Sequence, residues 1–423
     1  MLSEALQDAH IALYDIDGDR LNESGMMLDN LNKNINANRA RITRHLGIPD
    51  RCEALNGANY VVNAIQVGGY EPSTVIDFEL PKKYGLRQTI GDTLGIGGIF
   101  RALRTIPVCL DFAREMETVC PDAWFLNYVN PMAMVTGGML HGSSIRTVGL
   151  CHSVQGCAEW LLRGVGLWES VQKLQWKIAG INHQGWLLEI TDGGKDLYPE
   201  IKRRAAEMNR SARQPGAQKH WDMVRYEIMR HFGYYVTESS EHSSEYMPYW
   251  IKSQYPGLIE EFAIPLDEYP RRCVAQIEGW KKQSQQLVHD QNLSHQRTGE
   301  YGSYIMEAIE TDKPFKIGGN ILNTGLITNL PSKAIVEVPC LVDRNGVQGC
   351  YVGDLPEQLA GLNRTNINVQ ILTVEAALTH QREAIYHAAM LDPHTGSELT
   401  LDQIRNLCDD LIAAHGMETM FPD

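Results

Sequence analysis

Short apolar runs alternate with helical patterns over the first 165 residues of this 423-residue chain, and this alternation limits its possible folds more than any other feature. Strand-like runs occupy residues 11–14, 60–67, 123–128 and 147–150, and helical patterns occupy residues 19–38 and 99–119. Strands that alternate with helices form βα units around a parallel sheet. The sequence therefore predicts an α/β fold in which polar residues follow the carboxyl ends of the strands, where such folds bind ligands.

The pattern becomes mixed near residues 175–191, so we place the start of a second region before it. Helical patterns then occupy residues 221–232, 266–291, 301–309, 369–390 and 401–414, and residues 334–342 are strand-like. We therefore predict an α/β domain with a mostly parallel sheet at residues 1–165. A mixed α+β domain is expected at residues 166–423.

Charge and cysteine content exclude several classes of protein. Thirty-eight Lys and Arg stand against 52 Asp and Glu, and the resulting charge of −14 repels nucleic acid and anionic membranes. No stretch approaches the roughly 18 continuous apolar residues of a spanning helix, and the first residues do not resemble a signal peptide. The nine cysteines include no CxxC pair, which argues against a zinc finger or a disulfide scaffold. We expect a cytoplasmic protein.

A glycine-rich turn after the first strand usually marks a dinucleotide-binding fold. Residues 1–10 precede the first predicted strand and contain no glycine. The nearest glycine-rich turn, at residues 95–98, follows a later strand and lacks the GxGxxG spacing. The residues alone therefore leave a dinucleotide site open.

Cys151 and His152 follow the strand-like run at residues 147–150, and His183 lies 32 residues after Cys151. A thiolate and an imidazole can together hold a divalent cation and leave coordination positions open for substrate. The commoner roles for these residue types are a small buried cysteine and histidines that satisfy local hydrogen bonds. The spacing by itself is compatible with both interpretations.

Two other polar positions allow a functional and a structural role. Asp92, beside the glycine-rich turn, is either a general acid or base, or the N-cap of the following helix. Asn130 follows the strand-like run at residues 123–128, and an Asn before Pro131 is also typical of a turn.

Residues 236–249 form the densest polar and aromatic stretch of the chain. Such a stretch suits a loop that binds the hydroxyls of a ligand, although a solvated surface loop is the commoner structure. The side chains of interest are Glu238, Glu241, His242, Glu245, Tyr246 and Tyr249.

Eight ordered strings together resemble glycoside hydrolase family 4, and more narrowly its α-galactosidase (melibiase) branch. The resemblance runs from about residue 6 to residue 416. The strings are IALYDID, NAIQVGGYEPSTVIDFE, QTIGDTLGIGGIFRALRTIP, LNYVNPMAM, VGLCHSVQG, AGINH, VTESSEH and TNINVQ.

The resemblance implies a glycosidase that uses NAD and a divalent metal, commonly Mn²⁺, instead of the paired carboxylates of most glycosidases. It implies that the C3 hydroxyl of the sugar is oxidised to a ketone, after which a base removes the acidified C2 proton. The C1 leaving group then departs, water adds to the unsaturated sugar, and the ketone is reduced again. The expected reaction is hydrolysis of α-galactosides of the melibiose type.

The resemblance also implies roles for individual residues. It assigns Cys151 and His183 as metal ligands, Asn130 as a substrate-binding residue and Tyr246 as the base. The phosphate-specific relatives carry an Asp acid directly after the metal cysteine, where this chain has His152. We therefore expect a substrate without a 6-phosphate, and a general acid that is either His152 or Asp92.

For the cofactor, the resemblance implies a Rossmann-like NAD-binding domain at residues 1–165 and a catalytic and oligomerisation domain at residues 166–423. Asp15 and Asp17 match the acidic strand end that contacts the adenosine ribose, and Gln66 and Gly68 are further cofactor-binding candidates. The family begins with a strand and a glycine-rich turn that are absent from this sequence. We therefore expect an N-terminally truncated domain and weak NAD binding.

Other functions remain open at this point. Within the family, α-galacturonidase and α-glucosidase activities are alternatives, because a few hydroxyl contacts set the choice of sugar. An NAD-dependent hydroxy-acid dehydrogenase would share the fold, and a truncated chain could be an inactive remnant. The expected partner is a small-molecule α-galactoside, and the chain is expected to form a homo-oligomer, either a dimer or a tetramer.

Overall fold

A computed structural model describes residues 1–422 of the chain. The chain begins with two parallel strands that form a separate small sheet. Strand β1 spans His10–Asp15, helix α1 spans Gly18–Asn36 and strand β2 spans Arg41–Leu46. The carboxylate of Asp17 caps α1 by accepting the backbone N–H of Arg20, so the helix begins directly after β1.

The rest of the first region alternates strands with helices. After a π-helical turn at Gly69–Thr74, helix α3 leads into a long loop and the 25-residue helix α4. The elements are α2 (Gly47–Leu55), β3 (Tyr60–Asn63), α3 (Val75–Lys82), α4 (Gly95–Val119), β4 (Trp124–Asn127), α5 (Met132–Gly142), β5 (Arg146–Gly149) and α6 (Ser153–Gly164).

The second region adds long antiparallel strands and a helical layer. A 3₁₀ turn at Trp168–Ser170 precedes it. Its elements are β6 (Leu174–Ile181), β7 (Gln184–Asp192), β8 (Lys195–Asp196), α7 (Tyr198–Ala212), α8 (Met223–Phe232), β9 (Tyr235–Val236), α9 (Ser240–Glu245), α10 (Gly257–Glu261), α11 (Glu268–His289), α12 (Gly302–Thr311), β10 (Phe315–Leu322), β11 (Ile335–Asp343), β12 (Gly346–Gly349), α13 (Glu357–Thr379), α14 (Arg382–Leu391), α15 (Pro393–Glu398) and α16 (Leu401–Ala414).

One ten-stranded sheet contains strands from both regions. Its main path is β3-β4-β5-β10-β11-β6-β7-β8, with β12 paired to β11 and β9 paired to β7. Strands β3, β4 and β5 are parallel, whereas the strands from β10 onward pair antiparallel. Asn320 of β10 pairs with Gly149 of β5, so the sheet continues from the first region into the second.

Helix α4 forms the centre of the larger core. Residues 96–106 are buried on every face of this helix, which packs against α5 and α13 and lies behind the parallel strands. At the carboxyl end of the chain, Thr400 and Gln403 form a capping box that begins α16. No helix within residues 1–422 is long and apolar enough to span a membrane.

The predicted α/β fold is confirmed, with local corrections to its elements. The strand predicted to reach residue 67 ends at Asn63, because the chain turns there toward Gly68 and Gly69, both with positive φ. The helix predicted for residues 369–390 is two helices, α13 and α14, because His380 adopts a left-handed conformation that ends α13. Strands β2 and β10 and helix α7 were not predicted, since β2 and α7 are rich in charged residues and β10 contains two glycines.

Candidate active site

Three side chains form a compact set of possible metal ligands next to the sheet. Cys151 follows β5, His183 lies in the turn between β6 and β7, and Glu238 follows β9. One ligand atom from each residue lies within 4.8 Å of the others. The sequence separates Cys151 and His183 widely, and the fold brings them together because β11 and β10 join β6 to β5 in one sheet.

The positions of His183 and Glu238 are fixed by strained backbone and by hydrogen bonds. Both residues have positive φ, 61° for His183 and 66° for Glu238, a conformation that costs a non-glycine residue about 1–2 kcal/mol. Thr237 donates its backbone N–H to the carbonyl of Gly185 at 2.8 Å, and its hydroxyl accepts the N–H of Gly185 at 3.0 Å. These two bonds tie the Glu238 segment to the His183 turn.

The surroundings of the cluster shift the pKa values of Cys151 and Glu238 in opposite directions. Burial raises the pKa of the Cys151 thiol, and the nearby Glu337 and Glu238 raise it further. Burial opposes ionisation of Glu238, but His183, His242, Arg225 and the backbone N–H of Ser239 together outweigh it and lower the pKa of this carboxyl to about 2. The site therefore holds a carboxylate beside two imidazoles and a thiol.

Tyr246 lies directly against the candidate metal ligand His183. Its hydroxyl oxygen is 3.0 Å from Nδ1 of His183, and the two rings are stacked with centroids 6.3 Å apart. Asn366 of α13 donates its side-chain N–H to the Tyr246 carbonyl at 3.2 Å and to Gln184 at 2.9 Å, so it braces the tyrosine against the His183 turn. Burial raises the pKa of the Tyr246 hydroxyl well above its usual value.

Asp92 lies on the other side of this cluster and is buried. Its carboxylate accepts the hydroxyl of Thr93 at 2.8 Å and a side-chain N–H of Asn130 at 3.4 Å. The N-cap of α4 is Leu94, so Asp92 does not cap that helix. The interpretation of Asp92 as the N-cap of the following helix is therefore wrong. The structure brings Asp92 and Asn130 together.

Glu245 fixes the loop that carries Asp92. It accepts backbone N–H groups from Thr89, Ile90 and Gly91 at 2.8–3.3 Å, although burial raises its pKa to about 7. Glu245 directly precedes the candidate base Tyr246, so its carboxyl group links this residue to the loop that carries the candidate acid Asp92.

His242 joins the two halves of the site. Its Nε2 is 4.0 Å from Asp92, its Nδ1 is 3.6 Å from Glu238, and its ring centroid is 4.7 Å from that of His183. Burial lowers the pKa of His242, while Glu238 opposes this shift. The segment at residues 236–249 is thus mostly buried in the site, and a solvated surface loop is the wrong interpretation.

His152 lies in a different setting from the buried cluster. Its side chain is 61% exposed, and its Nε2 is 2.5 Å from a carboxylate oxygen of Glu300. The same carboxylate accepts the hydroxyl of Tyr128, whose ring stacks on His152. The Tyr301 hydroxyl donates to the carbonyl of Cys151, which connects this exposed group to the buried cluster.

The candidate cofactor residues lie apart from the buried cluster, on the first strands. Asp15, at the end of β1, forms a bidentate pair with Arg20 at 2.6 and 2.7 Å, while Asp17 caps α1. Gln66 is exposed in the loop after β3. Gly68 has a φ of 85°, and a Cβ there would lie 2.2 Å from the Ser73 hydroxyl, so only glycine fits.

Sequence reasoning missed several polar residues of this neighbourhood, among them Arg101, Glu300, Asn320 and Glu337. Glu300 lies in a polar loop, where one more acidic residue does not stand out. Arg101 lies in helix α4, whose pattern is apolar. Asn320 and Glu337 lie inside strands, where a buried Asn donates to a buried carboxyl at 2.9 Å. For Asn320 and Glu337, the only signal in the sequence was an amide or charged side chain within an otherwise apolar strand.

Comparison with protein families gives two matches that together cover most of the chain. Residues 1–167 match the family model described as "Family 4 glycosyl hydrolase". Residues 178–395 match the model described as "Family 4 glycosyl hydrolase C-terminal domain".

Individual proteins and solved structures agree with these matches. The chain is 60% identical to an α-galactosidase of Bacillus subtilis over 416 residues, 98% of this chain and 93% of that protein. It is 31% identical to an α-galactosidase of Rhizobium meliloti, over 97% of this chain and 83% of that one. A 6-phospho-α-glucosidase from gut microorganisms, solved with NAD and Mn²⁺, has the same fold, with a TM-score of 0.76 at 21% identity and coverage of 99% and 94% of the two chains.

Proposed function

The chain belongs to glycosyl hydrolase family 4, and on that premise we propose that it hydrolyses α-galactosides of the melibiose type with NAD and Mn²⁺ as cofactors. One observation carries the proposed chemistry: the Tyr246 hydroxyl lies 3.0 Å from Nδ1 of His183. The same histidine forms a cluster of possible metal ligands with Cys151 and Glu238. The choice of α-galactosides is supported by the 60% identity to an α-galactosidase.

Cys151 and His183 would hold the divalent metal. Sulfur and nitrogen ligands in one cluster, with a carboxylate nearby, suit a first-row divalent ion and leave positions open for sugar hydroxyls. His183 would bind through Nε2, because its Nδ1 faces the Tyr246 hydroxyl. The donor set therefore fits the implied metal.

Residues of the first region would hold NAD. Asp15 ends β1 and Asp17 lies just after it, and Gln66 and Gly68 follow β3, at the carboxyl ends of parallel strands where such folds bind ligands. The Asp15 carboxylate suits the hydroxyls of a ribose. We propose that residues 1–165 form the cofactor-binding domain and residues 166–423 the catalytic and oligomerisation domain, with Cys151 and Asn130 of the first domain completing the catalytic site.

When bound, NAD would accept and return the hydride at C3, and the metal would polarise the C3 ketone so that the C2 proton becomes acidic. Tyr246 would remove that proton. With Nε2 of His183 facing the metal position, Nδ1 would keep its proton and donate a hydrogen bond to the tyrosine oxygen. That bond stabilises the deprotonated tyrosine and so opposes the effect of burial, which raises the pKa of Tyr246. Asn130 would orient the sugar beside Asp92.

The general acid would be either Asp92 or His152, and the two occupy different settings. Asp92 is buried beside Asn130, whereas His152 is exposed and paired with Glu300. Leaving groups of different acidity separate them, because loss of the acid harms poor leaving groups more than good ones. The acid is the residue whose removal (Asp92→Asn or His152→Gln) slows an alkyl galactoside far more than a nitrophenyl galactoside.

A panel of aryl α-glycosides tests the proposed function. The panel contains α-galactoside, α-glucoside, α-galacturonide and a 6-phosphorylated glycoside, each assayed with NAD, Mn²⁺ and a reductant. We expect turnover of the α-galactoside that is lost with a chelator and restored by Mn²⁺. Preference for another sugar, or turnover that is indifferent to the chelator, would contradict the proposal.

We propose that the chain acts in the cytoplasm as a homo-oligomer, either a dimer or a tetramer. All nine cysteines are free, and a ligating thiolate such as Cys151 must stay reduced, which a reducing compartment ensures. Light scattering after size-exclusion chromatography measures the assembly directly, and a monomer at micromolar concentration would contradict it.

A further inference from the structure

We propose that Glu238 is a third protein ligand of the divalent metal, so that Cys151, His183 and Glu238 bind one face of the ion. This inference rests on the proposed function only in that it takes the same cluster as the metal site. Neither the family matches nor the named relatives assign a role to Glu238.

The distances around Glu238 suit a shared ion better than a direct ion pair. Its Oε2 lies 3.5 Å from Nε2 of His183, longer than the normal range for a hydrogen bond. Two ligand atoms that each lie about 2.1 Å from a small divalent ion are roughly 3.0–3.4 Å apart. The observed separation needs only a small contraction to match an ion that bridges the two side chains.

The remaining contacts of Glu238 hold its carboxylate in a fixed orientation. Its Oε1 accepts the backbone N–H of Ser239 at 3.2 Å and lies 3.6 Å from Nδ1 of His242. One oxygen is therefore held by the protein, while the other is directed toward His183. A carboxylate held in this way resembles a metal ligand supported by neighbouring donors.

The backbone supplies independent support. Glu238 and His183 are both non-glycine residues in the left-handed region, and the two bonds between Thr237 and Gly185 join their segments. Strain of this kind persists where surrounding structure holds a side chain in a required position. Here it directs two different side chains to the same point beside Cys151.

Charge balance gives a chemical reason for a third ligand. A Cys151 thiolate and a Glu238 carboxylate together neutralise a divalent ion, and His183 adds no charge. Three protein ligands on one face also leave open positions for two adjacent sugar oxygens, as in other three-ligand catalytic metal sites. The Glu238 side chain is 23% exposed, so the cluster is accessible from solvent at this residue.

Manganese titration of the full chain, reduced and freed of metal with a chelator that is then removed, tests this assignment without an activity assay. Free Mn²⁺ is measured by electron paramagnetic resonance for the parent chain, Glu238→Gln and Glu241→Gln. The control residue Glu241 lies three positions further along, and its carboxylate faces Arg272 instead of the cluster. Circular dichroism and a melting curve establish that each variant is folded.

We expect the dissociation constant for Mn²⁺ to rise at least tenfold in Glu238→Gln and to change less than twofold in Glu241→Gln. The shorter Glu238→Asp should recover part of the loss, because it retains the charge. Parent-like manganese affinity in Glu238→Gln would overturn the assignment. The same holds if the KM for the sugar rises in this variant while its manganese affinity does not change. Manganese binding by a parent chain that lacks α-galactosidase activity would contradict the proposed substrate and leave the ligand set intact.

Discussion

The buried cluster around His183 and the small sheet formed by β1 and β2 differ sharply in how firmly they are held. Three of the four residues of β4 are buried, and so are three of the four of β5, the strands that lead to Asn130 and Cys151. None of the six residues of β1 is buried, although this strand leads to Asp15. The proposed metal and sugar site is therefore built into the core, whereas the proposed ribose site is not.

The supporting contacts show the same contrast. Glu245, Asn366 and Thr237 each join two segments of the buried cluster by hydrogen bonds. The small sheet contacts helix α4 through the Tyr14 ring of β1, which packs against Phe112, and helix α2, which follows β2, is joined to α4 by the ion pair between Arg51 and Glu115. The proposed metal and sugar site is therefore held by hydrogen bonds between distant segments, whereas the proposed ribose site lies on a less buried strand.

Removal of a metal ligand should have the largest effect. We expect Cys151→Ser and His183→Ala each to lower kcat/KM by about 1000-fold or more, since the metal stabilises charge that develops on the sugar. Exposed Cys350→Ser is the matched control and should retain parent activity. Steady-state kinetics with excess Mn²⁺ checks this, and full activity of Cys151→Ser in a chelator would contradict the metal site.

Removal of the Tyr246 hydroxyl should have the next largest effect. We expect Tyr246→Phe to lower kcat by roughly 100- to 1000-fold while KM changes about threefold or less, because the hydroxyl acts in proton transfer and the ring still packs on His183. A parent-like kcat would assign the base to another group, and His242 is the nearest alternative.

A change in the small sheet should affect the cofactor and spare the sugar site. We expect Asp15→Asn to weaken NAD binding about tenfold, the effect of one charge-assisted hydrogen bond. Calorimetric titration of NAD measures this, and the dissociation constant for Mn²⁺ should not change. Loss of manganese affinity in the same variant would show that the two regions are coupled and that the contrast between them is wrong.

Glu245 should produce a smaller effect, seen in the pH dependence of stability. Because its pKa is about 7 in the folded chain against a usual 4.5, Glu245 binds its proton more tightly when folded. Its contribution to stability is complete below pH 4.5 and is lost as the pH rises through 7, by roughly 1–3 kcal/mol. Urea unfolding of Glu245→Gln should show a weaker fall in stability between pH 5.5 and 8 than the parent; an unchanged fall would contradict the raised pKa.

The sequence was sufficient to predict the strands that lead to Asn130 and Cys151, but it predicted neither the strands β6 and β7 on either side of His183 nor the assembly of the site. Strand ends followed by polar residues predicted where Asn130 and Cys151 lie, because that pattern depends on local chain direction alone. The meeting of Cys151 with His183 depends on β10 and β11, which enter the sheet between β5 and β6 from more than 100 residues further along the chain. No local pattern encodes such a pairing, so the spacing of Cys151 and His183 left a shared metal site open, and only the family resemblance assigned both residues to it.

The buried state of the segment that contains Glu238 and Tyr246 was also beyond the sequence. A stretch so rich in charge and hydroxyl groups usually faces water, and here it is buried because partners from distant elements satisfy it. Thr89 to Gly91 bind Glu245, and Asn366 binds the Tyr246 carbonyl. Burial of polar residues depends on such long-range partners.

The fate of the C2 proton tests the account most directly. The parent enzyme hydrolyses an α-galactoside in deuterated water with NAD and Mn²⁺, and the released galactose is analysed by NMR and mass spectrometry. We predict deuterium at C2 of the product, and a slower reaction when the substrate itself carries deuterium at C2. Galactose without deuterium at C2, formed at the same rate from both substrates, would show that the C2–H bond is never broken and would contradict the proposed chemistry.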